Sequence, residues 1–346
     1  MAREVKQIAA HFFLLADPDI GVGHLMRCDA LAQTMNEQGV QTELIIQTKN
    51  GEEWLSNYAP ISSWRSEDWA SNPDVCRKSI IRKSEAYTVI AIIDAYNINP
   101  DISNLFSQFA DLTVYFDDFG DVKVDAGFII NGGPGADMIP YPDKPGISYL
   151  LGTEYQVLRK PFRQPARRVH RNCIQRVGIM LGGTDHRGAA RELARLLRSE
   201  LHEDVSIFIV GTEDSSTSGN GIEYTGFLTS RDLRELFLGL DILITAGGQT
   251  MAEAVACELP TIAIKTAENQ KFNIYGWQRA GVCIFIGDIS MQTFQSELRN
   301  AIHKLMSINE RRKMSDKCKL VALHMGASQL TNELIKACLI LPQKSK

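Results

Sequence analysis

The fold is constrained most by a repeated alternation of short apolar runs with amphipathic helical patterns. Most of the runs are apolar on both faces, which is typical of parallel strands that are covered by helices on both sides. The alternation therefore predicts an α/β protein with doubly wound parallel sheets. In the first half of the chain, the predicted strands span residues 10–16, 41–47, 88–94, 112–116, 127–131 and 148–151.

The alternation is interrupted over residues 155–175 and then restarts. This segment contains Pro161, Pro165 and a run of basic residues, which predicts a solvated linker, with phosphate binding as the alternative. We therefore predict two Rossmann-like domains, over 1–163 and 172–324, that face each other across a central cleft. In the second domain we predict strands at 176–181, 205–210, 242–245, 261–264 and 283–286, and helices at 188–200, 231–238, 249–257, 270–280 and 293–306.

Composition and missing motifs exclude several classes of function. The net charge is -4, whereas proteins that neutralise nucleic-acid phosphates are usually basic, so we expect no nucleic-acid partner. The seven cysteines are scattered and form no C-x-x-C pair, which fits a cytoplasmic location without disulfides. No apolar run approaches the ~20 residues of a membrane helix, so we expect no membrane span. No pattern with metal-ligand spacing occurs, so we expect neither a metal nor a cofactor.

A glycine-containing turn joins the first predicted strand to a predicted helix at 23–38. Gly21 and Gly23 permit a tight turn and the close approach of a ligand, and the amino end of a helix attracts anions. His24 follows at the edge of the sheet where ligands bind, so we interpret it as a general base, with helix capping as the alternative. Arg27 is a candidate cation for a diphosphate.

Polar residues also follow two other strands of the first domain. Asp94 and Tyr96 come at the end of a buried run, where Asp94 can orient His24 or bind a sugar hydroxyl and Tyr96 can line a sugar pocket. The alternative is a turn aspartate with a packed tyrosine. The adjacent Asp117 and Asp118 are interpreted as a solvated turn.

Two glycine turns in the second domain are candidate phosphate sites. The turn at 181–185 contains Gly183 and Thr184, and it is the weaker of the two motifs. The stronger one, at 244–253, combines a strand, a glycine turn and a helix start, where free backbone N–H groups can bind a diphosphate. Its candidate phosphate-binding residues are Gly247, Gly248, Gln249 and Thr250.

Three further side chains of the second domain are candidate substrate contacts. Glu253 follows the diphosphate turn, and we predict that its carboxylate binds ribose hydroxyls, with a surface glutamate as the alternative. Asn269 and Gln270 follow the strand predicted at 261–264. Amides both donate and accept, which suits sugar hydroxyls and acetamido groups, and helix N-capping by Asn269 is the alternative.

These motifs occur together in one order, which makes a resemblance specific although each motif is weak alone. The chain resembles the UDP-2,4-diacetamido-2,4,6-trideoxy-β-L-altropyranose hydrolase family of pseudaminic acid biosynthesis and its spore-coat polysaccharide relatives. The resemblance runs from about residue 8 to about residue 290. It is carried by segments 21–27, 94–96, 150–155, 158–163, 181–185, 246–253 and 269–270.

The resemblance implies a glycosyltransferase-B fold, with UDP held mainly by the second domain and the final helix, within 325–346, packing back on the first. It implies a metal-independent, inverting hydrolysis of the C1–O bond in which His24 activates water and Tyr96 lies near the sugar. Glu253 would hold the ribose, Gly248, Gln249 and Thr250 the diphosphate, and Asn269 and Gln270 the sugar or its phosphate. The chain departs from the family at Glu268, Met251 and 131–135.

We therefore predict hydrolysis of a UDP-linked acetamido sugar to free sugar and UDP, with His24, Asp94 and Tyr96 in the catalytic site. The expected partners are the UDP-sugar and water. A glycosyltransferase on the same scaffold is the alternative, in which His24 deprotonates an acceptor hydroxyl instead of water. A non-catalytic sugar-nucleotide binder is a third hypothesis.

Overall fold

The chain forms two compact units in a computed structural model that describes residues 7–17, 20–56, 58, 62–81, 87–96, 98–182, 188–211 and 220–340. Unit 1 contains the described residues up to Gly132, residues Ile139–Val157 and those from Met325 onward. Unit 2 contains Gly133–Met138 and the described residues of Leu158–His324.

Unit 1 is built around a parallel sheet in the order β3-β2-β1-β4-β5-β6-β7. Buried apolar clusters lie on both faces of the central strands, since alternate residues of β1 and β4 enter different clusters. The predicted doubly wound α/β fold is therefore confirmed. The elements are β1 (Gln7–Leu15), α1 (Gly23–Glu37), β2 (Gln41–Gln47), α2 (Gly51–Ser56), β3 (Trp64–Ser66), α3 (Pro73–Ile81), β4 (Tyr87–Asp94), α4 (Pro100–Phe109), β5 (Leu112–Phe116), β6 (Gly127–Asn131) and β7 (Ile147–Leu151).

Unit 2 repeats this arrangement with a parallel sheet in the order β10-β9-β8-β11-β12-β13. Counted within the unit, this is the strand order of a Rossmann fold. Its elements are β8 (Arg176–Met180), α5 (Ala189–Glu200), β9 (Ser206–Ile209), β10 (Ile222–Tyr224), α6 (Ser230–Gly239), β11 (Ile242–Ala246), α7 (Gln249–Ala256), β12 (Thr261–Lys265), α8 (Lys271–Ala280), β13 (Cys283–Asp288), α9 (Phe294–Met306) and α10 (Ile308–Lys319).

The last helix, α11 (Gly326–Ile340), belongs to unit 1. Its Leu330 and Leu334 are fully buried in the same core cluster as Leu31 of α1. A Cβ atom at Gly326 would lie 2.1 Å from the backbone oxygen of Gln156, so only glycine permits this approach of the helix start. The end of the chain therefore completes the core of unit 1.

Several elements carry no strong periodic signal and are absent from the sequence prediction. The strands β3 and β10 have only three residues each. α10 contains few apolar residues, so its buried face does not stand out in the sequence.

α4 is also absent from the prediction, although its start has a recognisable pattern. Asn99 caps it by accepting a hydrogen bond from the N–H of Asp101, with Pro100 in its first turn. This capping pattern is a readable helix start.

The basic segment between the two halves is not a solvated linker throughout. Arg168 donates to the backbone oxygens of Phe237, Leu240 and Cys257, at 2.6–3.0 Å. Arg171 forms an ion pair with Asp241 at 3.1 Å. The prediction of a solvated segment is therefore wrong for these two arginines, because unpaired carbonyls at helix ends bind them.

Among the described residues, none of the helices combines the length and the apolar character needed to cross a bilayer.

A polar contact inside unit 1 predicts how stability changes with pH. Glu43 of β2 lies 3.5 Å from Nδ1 of His11 and 2.7 Å from Arg65. The contact with His11, together with Arg65, lowers the pKa of Glu43 to about 2 although burial opposes the shift. A carboxyl whose pKa is lowered by folding stabilises the fold above its ordinary pKa, and this contribution is lost as the pH falls towards the folded value.

We therefore expect the unfolding midpoint in urea to fall more steeply between about pH 5 and pH 2 in the wild type than in Glu43→Gln. The measurement is tryptophan fluorescence, because Trp54, Trp64 and Trp69 all lie in unit 1. The control is Asp68→Asn, which removes an exposed carboxylate of the same unit. Parallel pH dependence in Glu43→Gln and the wild type would contradict the assignment.

Candidate functional site

The two strongest glycine motifs lie where the strand order of each sheet reverses. In unit 1 the order reverses between β1 and β4, and in unit 2 between β8 and β11. Ligands of doubly wound sheets bind beyond the carboxyl ends of the strands at such switch points. The turn that follows β1 leads to His24, β4 ends at Asp94, and the turn after β11 contains Gly247 and Gly248.

The turn after β1 is folded on itself and leaves its backbone accessible. The carboxylate of Asp17 accepts a hydrogen bond from the N–H of Ile20 at 2.9 Å, and the N–H of Gly21 donates to the Asp17 carbonyl at 2.7 Å. Gly21 has φ +84°, a conformation that favours glycine. A Cβ atom at Gly21 or Gly23 would meet no atom within 4 Å. Space for a ligand is therefore present at the start of α1.

His24 and Asp94 form a buried hydrogen-bonded pair. Nδ1–H of His24 donates to Oδ1 of Asp94, and the two residues are 6% and 1% exposed. This bond fixes the neutral imidazole as the tautomer that keeps its lone pair on Nε2. Helix capping, the structural alternative for His24, is not observed, because Val22 precedes α1 and no side chain caps it.

Arg27 joins Asp94 to a second carboxylate, that of Asp118. Its guanidinium donates to Asp94 at 2.7 and 2.9 Å and to Asp118 at 3.0 and 3.2 Å. Burial alone would raise the pKa of Asp94, but Arg27 and His24 outweigh it and hold that pKa well below its ordinary value. Arg27 is thus engaged by two carboxylates, and its predicted contact with a diphosphate stays a prediction.

Asp118 is a site residue that the sequence analysis missed. The Tyr96 hydroxyl donates to it at 3.0 Å, and the Tyr96 ring packs edge-on against His24, with the centroids 4.7 Å apart. The ring of Phe119 also packs edge-on against the ring of Tyr96, with the centroids 5.1 Å apart. Five groups of unit 1 therefore form one connected cluster, which we call the His24 cluster: His24, Arg27, Asp94, Tyr96 and Asp118.

The interpretation of Asp117 and Asp118 as a solvated turn is wrong. Asp117 is 2% exposed and accepts hydrogen bonds from the backbone N–H groups of residues 119–122. The side chain of Asp118 is 14% exposed and is occupied by Arg27 and Tyr96. The available signal was their position directly after the fully buried strand β5, at the edge where ligands bind.

In unit 2, the start of α7 presents backbone rather than charged side chains. A Cβ atom at Gly247 would lie 2.3 Å from Ile274, so glycine permits the close packing of this turn on α8. Gly248 is exposed, and a Cβ atom there would meet nothing within 4 Å. No side chain caps α7, which begins with Gln249 and Thr250. The amino end of a helix is a typical site for anion binding.

The predicted amide contacts follow β12 in a short 3-10 turn, Glu268–Gln270. The side-chain oxygen of Gln270 accepts hydrogen bonds from the backbone and hydroxyl of Thr266, both at 3.1 Å. Asn269 does not cap α8, which begins after Gln270 without a side-chain cap. Gly183 and Thr184, the other predicted phosphate contacts, lie outside the described residues.

Glu253 is neither a surface glutamate nor a carboxylate with open oxygens. It is 0% exposed, and both its oxygens accept from Arg159 at 2.6 Å. Arg159 also donates to the Ser230 hydroxyl at 3.2 Å. The surface alternative is wrong, and ribose binding by Glu253 stays a prediction that requires its carboxylate to become exposed. Arg159 was visible in the sequence only as part of the segment 158–163 that carries the family resemblance.

Comparison with solved structures matches nearly the whole chain. MurG from Acinetobacter baumannii is 12% identical, covers 95% of this chain and 99% of its own, and superposes with a TM-score of 0.63. The spinosyn forosaminyltransferase SpnP is also 12% identical, with 95% and 99% coverage and a TM-score of 0.59. MnaA from S. aureus, solved with UDP, is 10% identical, with 98% and 99% coverage and a TM-score of 0.64.

The chain has the glycosyltransferase-B fold. At these identities the likeness establishes the architecture of two Rossmann-like domains and leaves the chemistry to the site residues. No known protein family's sequence profile matches the chain. A search of curated proteins likewise finds no match.

The ion pair between Arg159 and the buried Glu253 predicts how stable α7 is against local unfolding. Arg159→Met leaves a buried carboxylate without a partner, which costs about 3–5 kcal/mol. We expect faster amide hydrogen exchange in α7, measured by mass spectrometry. The double variant Arg159→Met/Glu253→Met should recover most of the lost protection, because it leaves no buried charge.

The matched control is Arg279→Met, which removes an exposed ion pair with Asp137. Exposed pairs contribute about 0–1 kcal/mol, so its α7 peptides should exchange as in the wild type. Equal exchange in Arg159→Met and Arg279→Met would show that the buried pair does not stabilise this region.

Proposed function

We propose that the protein is an enzyme that acts on a UDP-sugar and cleaves the bond between the anomeric carbon and the diphosphate, with His24 as general base. The observation that carries the proposal is the His24–Asp94 pair at the switch point of a Rossmann-like unit. MnaA, a solved structure of this fold, was determined with UDP, which supports a uridine nucleotide as the ligand class.

Binding of the nucleotide is assigned to unit 2. The diphosphate lies on the amino end of α7, beside Gln249 and Thr250, where Gly248 leaves space and the helix dipole favours an anion. Asn269 and Gln270 contact the sugar or its phosphate, and Gly183 and Thr184 belong to the same proposal. Glu253 is fully buried, so ribose binding by its carboxylate requires a local rearrangement that exposes it.

The base and its surroundings are assigned to unit 1. Nε2 of His24 takes a proton from the nucleophile as it attacks the anomeric carbon from the face opposite UDP, while Gly21 and Gly23 leave room for the sugar or its phosphate. The imidazolium that forms is held by Asp94. One cation, Arg27, faces two carboxylates, so the surroundings carry a net negative charge that stabilises this imidazolium.

The departing diphosphate gains negative charge as the bond breaks. The amino end of α7 carries the positive end of the helix dipole, and its stabilisation of the leaving group therefore grows in the transition state.

The comparisons favour an acceptor hydroxyl as the nucleophile. SpnP, which shares the fold, is a forosaminyltransferase, so we propose sugar transfer as the first candidate reaction. Hydrolysis of a UDP-linked acetamido sugar, as in pseudaminic acid biosynthesis, is the second candidate. It is supported by the ordered motifs from 21–27 to 269–270 that resemble the hydrolase family. The cysteine pattern supports a cytoplasmic location for either reaction.

Replacement of His24 tests the base. General-base help is typically worth ~10²–10⁴-fold, so His24→Gln should lower kcat by about that factor while the Kd for UDP, measured by calorimetry, changes little. The matched control is His202→Gln, which disrupts an exposed histidine–aspartate pair with Asp204 at 3.2 Å. An unchanged kcat in His24→Gln would remove this residue from the mechanism.

A product assay separates the two candidate reactions. UDP-linked acetamido sugars are incubated with the protein alone and then with candidate acceptor sugars, and the products are followed by NMR. Transfer predicts that UDP is released rapidly only when an acceptor is present, whereas hydrolysis predicts free sugar without one. Binding of UDP with no turnover under either condition would instead identify a sugar-nucleotide binder.

A further inference from the structure

The His24 cluster contains one residue to which neither the motifs nor the comparisons assign a role. Asp118 follows β5, whereas His24 and Arg27 lie on α1 and Asp94 ends β4. It has no hydrogen bond to His24 in the cluster, but it binds two residues that contact the His24–Asp94 pair, Arg27 and Tyr96. It accepts two hydrogen bonds from Arg27 and one from the Tyr96 hydroxyl.

We propose that Asp118 is a positioning residue that sets the geometry and the charge of the His24–Asp94 pair through Arg27 and Tyr96. This inference rests on the proposed function for its effect on turnover, and it has a structural readout that does not depend on turnover.

The first connection runs through Arg27. Oδ1 of Asp94 accepts hydrogen bonds from both His24 and Nη2 of Arg27, so the two donors share one oxygen. Nη2 of Arg27 also donates to Asp118 at 3.2 Å, and its Nη1 donates to Asp118 at 3.0 Å. Asp118 thereby holds the guanidinium between two carboxylates. Without it, Arg27 would pair with Asp94 alone and compete more strongly for the oxygen that orients His24.

The connection through Arg27 also affects the charge around His24. Burial alone would lower the pKa of Arg27, but Asp118 and Asp94 raise it, so the guanidinium is a permanent cation. Arg27 by itself would neutralise Asp94. Because Asp118 shares the guanidinium, the cluster retains one net negative charge next to an imidazole that must become a cation during the reaction.

The second connection runs through Tyr96. Its hydroxyl donates to Asp118, and this bond fixes the ring that packs edge-on against His24. The Tyr96 ring also contacts Phe119, the residue after Asp118. Phe119 is 37% exposed. The turn that presents Phe119 is fixed in turn by the carboxylate of Asp117. One loop after β5 therefore limits the positions available to the imidazole.

The test compares Asp118→Asn, which keeps the shape but removes the charge, with Asp121→Asn, an exposed carboxylate in the same loop. With a UDP-sugar that the wild type turns over, we expect Asp118→Asn to lower kcat by about 10–100-fold, less than loss of the base itself. The Kd for UDP should stay within about twofold, because unit 2 binds the nucleotide in the proposed function. Asp121→Asn should match the wild type in both measurements.

A double variant tests the connection through Tyr96. Tyr96→Phe removes only the hydroxyl that donates to Asp118. It should lower kcat in the wild-type background and have a smaller effect in the Asp118→Asn background, because the hydrogen bond is already altered there. Equal effects in both backgrounds would overturn the connection through Tyr96.

The readout that is independent of turnover is the Nδ1–H proton of His24 in ¹⁵N-labelled protein, assigned by its loss in His24→Gln. We expect this NMR signal to be unchanged in Asp121→Asn and to shift or broaden in Asp118→Asn. An unchanged signal in Asp118→Asn, or a kcat within twofold of the wild type, would overturn the inference. If the wild type turns over no UDP-sugar, the proposed function fails, and the NMR signal still decides whether Asp118 positions His24.

Discussion

One largely buried cation connects three elements of unit 1. Arg27 extends from α1 to the ends of β4 and β5, where it binds Asp94 and Asp118 and packs over the ring of Phe116 at 4.5 Å. A charged group removed from water is costly unless it is paired, so Arg27, Asp94 and Asp118 stabilise one another. Through these contacts Arg27 connects the His24–Asp94 pair to Asp118, which in turn binds Tyr96.

The sequence predicted the strands and helices well where periodicity was strong. The strands β2, β5 and β6 were predicted with their observed bounds, because each is a buried run bordered by turn residues. Site residues were predicted at glycine turns that precede helices and, for Asp94 and Tyr96, at the carboxyl end of a buried strand. Asp118 and Arg159 were missed because their roles depend on partners distant in the chain, Arg27 and Glu253, and no local pattern reports such a pairing.

The two units present different chemistry on related sheets. At the switch point of unit 1 the turn leads to a cluster of ionisable side chains, among them His24 and Asp94. At the switch point of unit 2 the turn of Gly247 and Gly248 leads to a helix start without a side-chain cap, and the nearby Glu253 is buried and paired with Arg159. In the proposed function, His24 accepts the proton and the start of α7 binds the diphosphate.

The position of α11 has a consequence for how the chain folds as it is made. Domains at the amino end usually fold first during synthesis. Here unit 1 lacks Leu330 and Leu334 in its core until the ribosome has added α11, whereas unit 2 is complete at His324. Unit 2 can therefore complete its core before unit 1 does, although most of unit 1 is synthesised first.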